Sequence, residues 1–250
     1  MMKFVIAILG LLSTAFFVRA QNLTAEQIIQ KSEENIRGGD SYSQMKMTII
    51  RPAWERETTM QSWAKGSELA LIQVTGPSRD KGIAYLKRDN EIWNWQPRIE
   101  RTIKLPPSMM SQSWMGSDFT NDDLVRESSL VKDYTHQLLG EEKVREYDTY
   151  KVALHPKENA AVVWGKIIMW ISKEYFMQIK SEFYDEDGFL INTMNAGNVK
   201  QFGERHLPSR LEVIPEDKPG QKTIVEYLEF RFNEDISERM FTIQNMKNIR

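Results

Sequence analysis

The sequence predicts an α+β chain that is mostly β: one N-terminal helix, then ten or eleven antiparallel strands arranged as a barrel, a half-barrel or a sandwich. Three observations predict it. Apolar residues alternate with a period of two through most of the chain after Ser41. Turn residues recur at intervals of about ten residues. Helical periodicity is confined to a short stretch near the N-terminus.

The elements follow in order. Met1-Met2-Lys3 is a short positive start, Phe4 to Val18 is an apolar run, and Val18-Arg19-Ala20 fits a cleavage site after Ala20. The run is shorter than the ~18 to 20 apolar residues that cross a bilayer. Residues 1–20 therefore read as a cleaved signal peptide and 21–250 as a single domain of an exported, periplasmic protein. An uncut anchor is the alternative, which Arg19 beside the cut keeps open. Thr24 with Gln27 three residues later forms a capping-box signature, Ile28 and Ile29 begin an apolar stripe, and Gly38-Gly39-Asp40 ends the helix.

Strand-like alternation follows. Met45, Met47 and Ile49 share a face, as do Leu69 and Leu71, and then Trp93 and Trp95. Pro106-Pro107 breaks the pattern, and Ser108 to Ser129 contains no clear strand. Strands resume from His136 and continue to Phe232, punctuated by turns such as Asp185-Glu186-Asp187-Gly188 and Asp217-Lys218-Pro219-Gly220. A helical turn is expected after Ser237.

Composition excludes more than it identifies. With 33 Lys+Arg against 35 Asp+Glu and a formal net charge of −2, nothing supports a nucleic-acid surface. Loss of Lys3 and Arg19 with the leader leaves 31 basic against 35 acidic residues. There is no cysteine, hence no disulfide, thiolate metal site or thiol nucleophile. His136, His155 and His206 stand in turn or strand contexts without a second histidine nearby. No G-x-S-x-G, H-E-x-x-H, P-loop, G-x-G-x-x-G or EF-hand loop occurs, so neither a catalytic set, a metal site nor a cofactor is assigned. Asp118, Asp122 and Asp123 suit either a helix N-terminus or a cation, and the helix terminus is the simpler reading.

The excess lies in large, soft apolar side chains: 13 Met, 7 Trp, 11 Phe and 8 Tyr. Met109, Met110, Trp114, Met115 and Phe119 crowd the non-strand segment among Ser and Gly, as in a lid over an apolar cavity. With the face-sharing pairs, the expected lipid-binding set is Leu69, Leu71, Tyr85, Trp93, Trp95, Met109, Met110, Trp114, Met115 and Phe119.

An ordered series of segments carries a family resemblance. It comprises Leu23-Thr24-Ala25-Glu26, Gly76-Pro77, Lys81-Gly82-Ile83-Ala84-Tyr85-Leu86, Glu91-Ile92-Trp93-Asn94-Trp95-Gln96-Pro97, Arg101-Thr102-Ile103 and Met115-Gly116-Ser117-Asp118-Phe119-Thr120-Asn121-Asp122-Asp123-Leu124. The series resembles the outer-membrane lipoprotein-sorting family of LolA-like periplasmic carriers, in its longer branch associated with RND/MMPL-type exporters. That resemblance implies a curved antiparallel sheet forming an incomplete barrel, with helices and a lid loop over an apolar cavity that accepts acyl chains. It implies a non-enzymatic, monomeric carrier of an acylated lipoprotein or of a glycolipid, hopanoid or other membrane lipid. Its partners would be an inner-membrane exporter and an outer-membrane acceptor. The family's lid-regulating arginine has no motif here, and Arg51, Arg56, Arg98 and Arg101 are all candidates. An envelope sensor of the same half-barrel type, or a secreted hydrolase with a non-local site, are the alternatives.

Overall fold

The computed structural model describes residues 23–89, 91–123 and 130–249; the expected leader and Leu124 lie outside them. Helix α1 (Ala25–Arg37) starts at the expected capping box, with Thr24 Oγ1 accepting from the Gln27 amide and the Gln27 side chain accepting from the Thr24 amide. It ends at Gly38, whose φ of 60° suits glycine. A Cβ at Gly38 would also lie 2.8 Å from Arg205 Nη2. Arg205 needs that approach because its Nη1 donates to the terminal carbonyls of Glu34 and Asn35, both at 2.8 Å.

Thirteen strands follow: β1 (Asp40–Arg51), β2 (Trp54–Lys65), β3 (Leu69–Gly76), β4 (Ala84–Arg88), β5 (Glu91–Gln96), β6 (Arg101–Lys104), β7 (Tyr134–Val144), β8 (Tyr147–Pro156), β9 (Lys166–Ser172), β10 (Gln178–Tyr184), β11 (Leu190–Phe202), β12 (Arg205–Pro215) and β13 (Lys222–Phe232). The expectation of ten or eleven is corrected. One strand that leaves no alternation to read is β2, whose only buried side chains are Thr58 and Met60. Helix α2 (Ile243–Asn248) closes the chain after the expected turn at Glu238–Met240.

All thirteen strands form one sheet in the order β6-β5-β4-β3-β2-β1-β13-β12-β11-β10-β9-β8-β7, and every ladder is antiparallel. The chain runs outward from β1 to the β6 edge, crosses to the β7 edge, and marches back until β13 pairs with β1. The sheet does not close, and it is strongly curved. One core cluster joins Ile72, Val74 and Tyr85 from β3 and β4 with Met194, Val213 and Val225 from β11 to β13, a contact flat strands that far apart never make. A second cluster continues along the same concave face, where Ile28 and Ile29 of α1 pack on Tyr134, Val152, Leu154 and Ile167. The convex face of β3 to β5 has its own cluster under the C-terminal segment, built on Leu71, Leu86, Phe241 and Met246.

Candidate functional site

The segment after β6 crosses the mouth of the concave face. Pro106 and Pro107 end the edge strand, and two short turns, Pro107–Met109 and Trp114–Gly116, replace any ladder. The segment braces itself: the Trp114 amide donates to the Phe119 carbonyl at 2.8 Å, and the Asn121 side chain donates to the Met109 carbonyl at 2.8 Å. Its apolar side chains point inward. Met110, Trp114 and Phe119 are 5%, 1% and 5% exposed, and the Trp114 ring lies 5.4 Å from that of Tyr85. Burial pushes the Tyr85 hydroxyl up to about 12, so it stays neutral at any cellular pH.

Two arginines fasten the segment. Arg51, at the end of β1, grips Asp118 with both guanidinium nitrogens, at 2.9 and 3.0 Å, and donates to the Gly116 carbonyl at 3.0 Å. The Thr223 hydroxyl donates to the same carboxylate at 2.7 Å. Arg56 of β2 donates to the Met115 carbonyl. Both carbonyls face the arginines because Met115 and Gly116 are left-handed, with φ of 52° and 77°. Arg98 and Arg101, the other two candidates, are exposed around the β5–β6 turn.

Between the two concave clusters lies a cavity of about 210 Å³. Its walls are Phe119 from the lid, Trp164 from the loop before β9, Phe183 and Met194 from the far half of the sheet, Ile36 from α1, and Tyr227 from β13. Polar groups share it. Asp123 accepts from the Trp164 indole at 2.9 Å and from the Thr120 amide at 2.8 Å, but burial outweighs these bonds and raises its pKa above the usual carboxylate value.

Three solved structures are similar along most of the chain. A domain named for outer membrane lipoprotein sorting, from Vibrio parahaemolyticus, has a TM-score of 0.78 and 22% identity, covering 89% of this chain and 98% of its own. A DUF1329 family protein from Desulfovibrio piger gives 0.82 and 20% over 89% and 97%. The LolA superfamily protein NE2245 from Nitrosomonas europaea gives 0.77 and 24% over 89% and 99%. No curated protein matches the chain. A family model described as "-like: Uncharacterized protein" matches residues 66–248. The chain belongs to that family, and its fold is LolA-like.

On the LolA-like sheet the ten expected site residues divide between two faces. Tyr85, Met109, Met110, Trp114, Met115 and Phe119 come together on the concave face beneath or within the lid. Leu69, Leu71, Trp93 and Trp95 do not join them. They lie on the opposite face of β3 and β5, packed with Phe241, Met240 and Met246 of the C-terminal segment. The division has a simple cause: both faces of these strands are covered by apolar packing, so alternation separates the faces without saying which one is concave. Of the ten, Phe119 alone lines the cavity; its other walls come from α1, from Asp118, Asp122 and Asp123, and from the far strands and the loops beside them. Ile167 and Met169, or Leu211 and Val213, show the period-two signal that marks a shared face.

The histidines are dispersed. His136 contacts the Leu130 carbonyl at 2.7 Å, His206 stacks on Tyr175 at 4.6 Å, and His155 is exposed. Among the described residues no group of three or more His, Asp or Glu is placed to hold a metal ion. Asp118 is committed to Arg51, and Asp123 to the turn at Thr120, whose hydroxyl accepts from the Asp123 amide at 3.1 Å. Among the same residues no helix is long and apolar enough to cross a membrane.

Proposed function

We propose that the protein is a periplasmic carrier that takes the acyl chains of a lipoprotein or membrane lipid into the concave cavity and hands them toward the outer membrane. The observation that carries this reading is how the concave face is covered. Its cover is a loop fastened by one carboxylate and two backbone carbonyls to Arg51 and Arg56, contacts that break and re-form without unfolding a strand.

The energetics suit transfer. Burial of an acyl chain is favourable by about 0.8 kcal/mol per CH₂, so 16 carbons offer roughly 12 kcal/mol gross. A bilayer offers the same burial, so loading calls for an energised donor, such as an RND/MMPL-type exporter, and unloading for a tighter acceptor. The cavity of about 210 Å³ is smaller than the ~300 to 1,000 Å³ typical of ligand pockets, so uptake must displace part of the lid. Trp114, Met110 and Phe119 fill the space that a chain would take, with Met109 and Met115 as repacking neighbours. No cofactor is needed, and a monomer suffices.

Native mass spectrometry of the protein purified from its own periplasm, followed by lipid extraction, tests the reading. An acylated species bound near one to one is the expected result, and its head group identifies the cargo. A clean unliganded mass with no uptake of added lipid overturns it.

A further inference from the structure

Among the described residues, three buried polar atoms under the lid have no protein hydrogen-bond partner: Arg56 Nε, Thr58 Oγ1 and Trp114 Nε1. Native interiors leave few such groups, because each forfeits its hydration for nothing. A fourth, Thr102 Oγ1, sits on β6 opposite Trp95 and belongs to the other face. The first three share one place. In the β1–β2 ladder Arg56 stands opposite Ile49 and Thr58 opposite Met47, both members of the lid-covered cluster. Arg56 reaches the lid at the Met115 carbonyl, the residue after Trp114, and a Cβ on Gly116 would lie 3.4 Å from its Nη2. Thr58 and Trp114 are each 1% exposed.

All three groups donate hydrogen bonds: a guanidinium N–H, a hydroxyl and an indole N–H. Their common complement is an oxygen acceptor. The surroundings select which kind. Met45, Met47, Met60 and Tyr85 make the site apolar. A carbonyl carried on a hydrocarbon chain brings that oxygen at the least desolvation cost, because it enters without a charge to strip of water.

We propose that Arg56, Thr58 and Trp114 form a polar seat beneath the lid for the carbonyl oxygen of an acyl ester or amide. The proposal rests on the carrier reading and deepens it. The seat fixes how far a chain enters, with the hydrocarbon inside and the head group toward the lid rim. It makes the protein select for acyl linkages over plain alkyl chains. An internal water offers the same acceptor oxygen, and the test separates the two.

Delipidated mature protein is titrated calorimetrically with 1-monopalmitoylglycerol and with 1-O-hexadecylglycerol, which share chain and head group but differ in the carbonyl. The wild type is expected to bind the ester about tenfold more tightly, the scale of one or two well-made hydrogen bonds. Thr58→Val and, separately, Arg56→Lys each bring the preference close to one. Thr58→Val also raises the ligand-free Tm, because it removes a buried hydroxyl that no protein group satisfies. Equal wild-type affinity for the two probes overturns the seat and leaves the carrier reading intact. So does a preference that Thr58→Val leaves unchanged. A lowered ligand-free Tm in that variant overturns the seat in favour of internal water. Binding of neither probe overturns both readings together.

Discussion

The two faces of β3 to β5 each carry an apolar cluster and both are covered, but by different means. On the convex face the C-terminal segment is fully tied down. Lys65 donates to the Ile236 carbonyl at 2.9 Å, Arg88 to that of Phe241 at 2.8 Å, and Gln73 to that of Ile249 at 2.8 Å. Phe241 and Met246 beneath it are 0% and 1% exposed. On the concave face the cover is held by Arg51, Arg56, Thr223 and Asn192, turns through two successive left-handed residues, and overlies three buried polar atoms with no partner. Apolar content therefore does not separate the two covers. The polar groups beside them differ more: one buried atom without a partner, Thr102 Oγ1, lies on the convex side at the neighbouring β6, against three under the lid.

The largest effect expected from breaking this contrast is on the convex side. Phe241→Ala should cost about 4 kcal/mol in urea unfolding while leaving acyl uptake unchanged under native conditions. Loss of uptake in a still-folded variant would contradict the division. Arg51→Ala should cost about 3 kcal/mol, because the Asp118 carboxylate keeps only its Thr223 partner. Hydrogen exchange should rise in residues 109–123 and stay unchanged in 236–249. Equal acceleration in both segments would mean that the two covers open as one.

A pH effect is expected at Asp123, at the end of the lid. Burial raises the Asp123 pKa above 3.8, so the folded protein holds a proton there that the unfolded chain releases. The contribution to stability is present below 3.8 and is lost as pH rises through the folded value. Asp123→Asn should flatten that part of a stability profile measured by thermal melting. An unchanged slope would rule Asp123 out as its source. The smallest effect belongs to the convex side: Gln73→Leu should cost about 1 kcal/mol, with faster exchange confined to residues 243–249. Faster exchange in the lid would show that the two faces are coupled.

Much of this was legible in the sequence, and the omissions have physical causes. The capping box at Thr24 and Gln27 and the lid residues Met110, Trp114 and Phe119 are local features, and alternation or composition records them directly. The curvature that brings β3 and β4 to β11 and β13 is a long-range property of strand order. Without it, Trp93 and Trp95 look like cavity walls and nothing singles out Trp164. β2 leaves no alternation to read because it is mostly polar, and that polarity contains Arg56 and Thr58, the residues that give the concave face its chemistry. Arg51 and Arg56 were among four equal candidates until the fold placed them against the lid.

The central claim is that the concave face binds acyl chains and the convex face does not. Photo-crosslinking with palmitic acid bearing a diazirine along its chain, followed by peptide mapping, tests it most directly. The account predicts adducts at Trp114, Phe119, Phe183 or Met194, and none at Trp93, Trp95, Phe241 or Met246. Adducts concentrated on the second group would contradict it and assign the binding site to the face beneath the C-terminal segment.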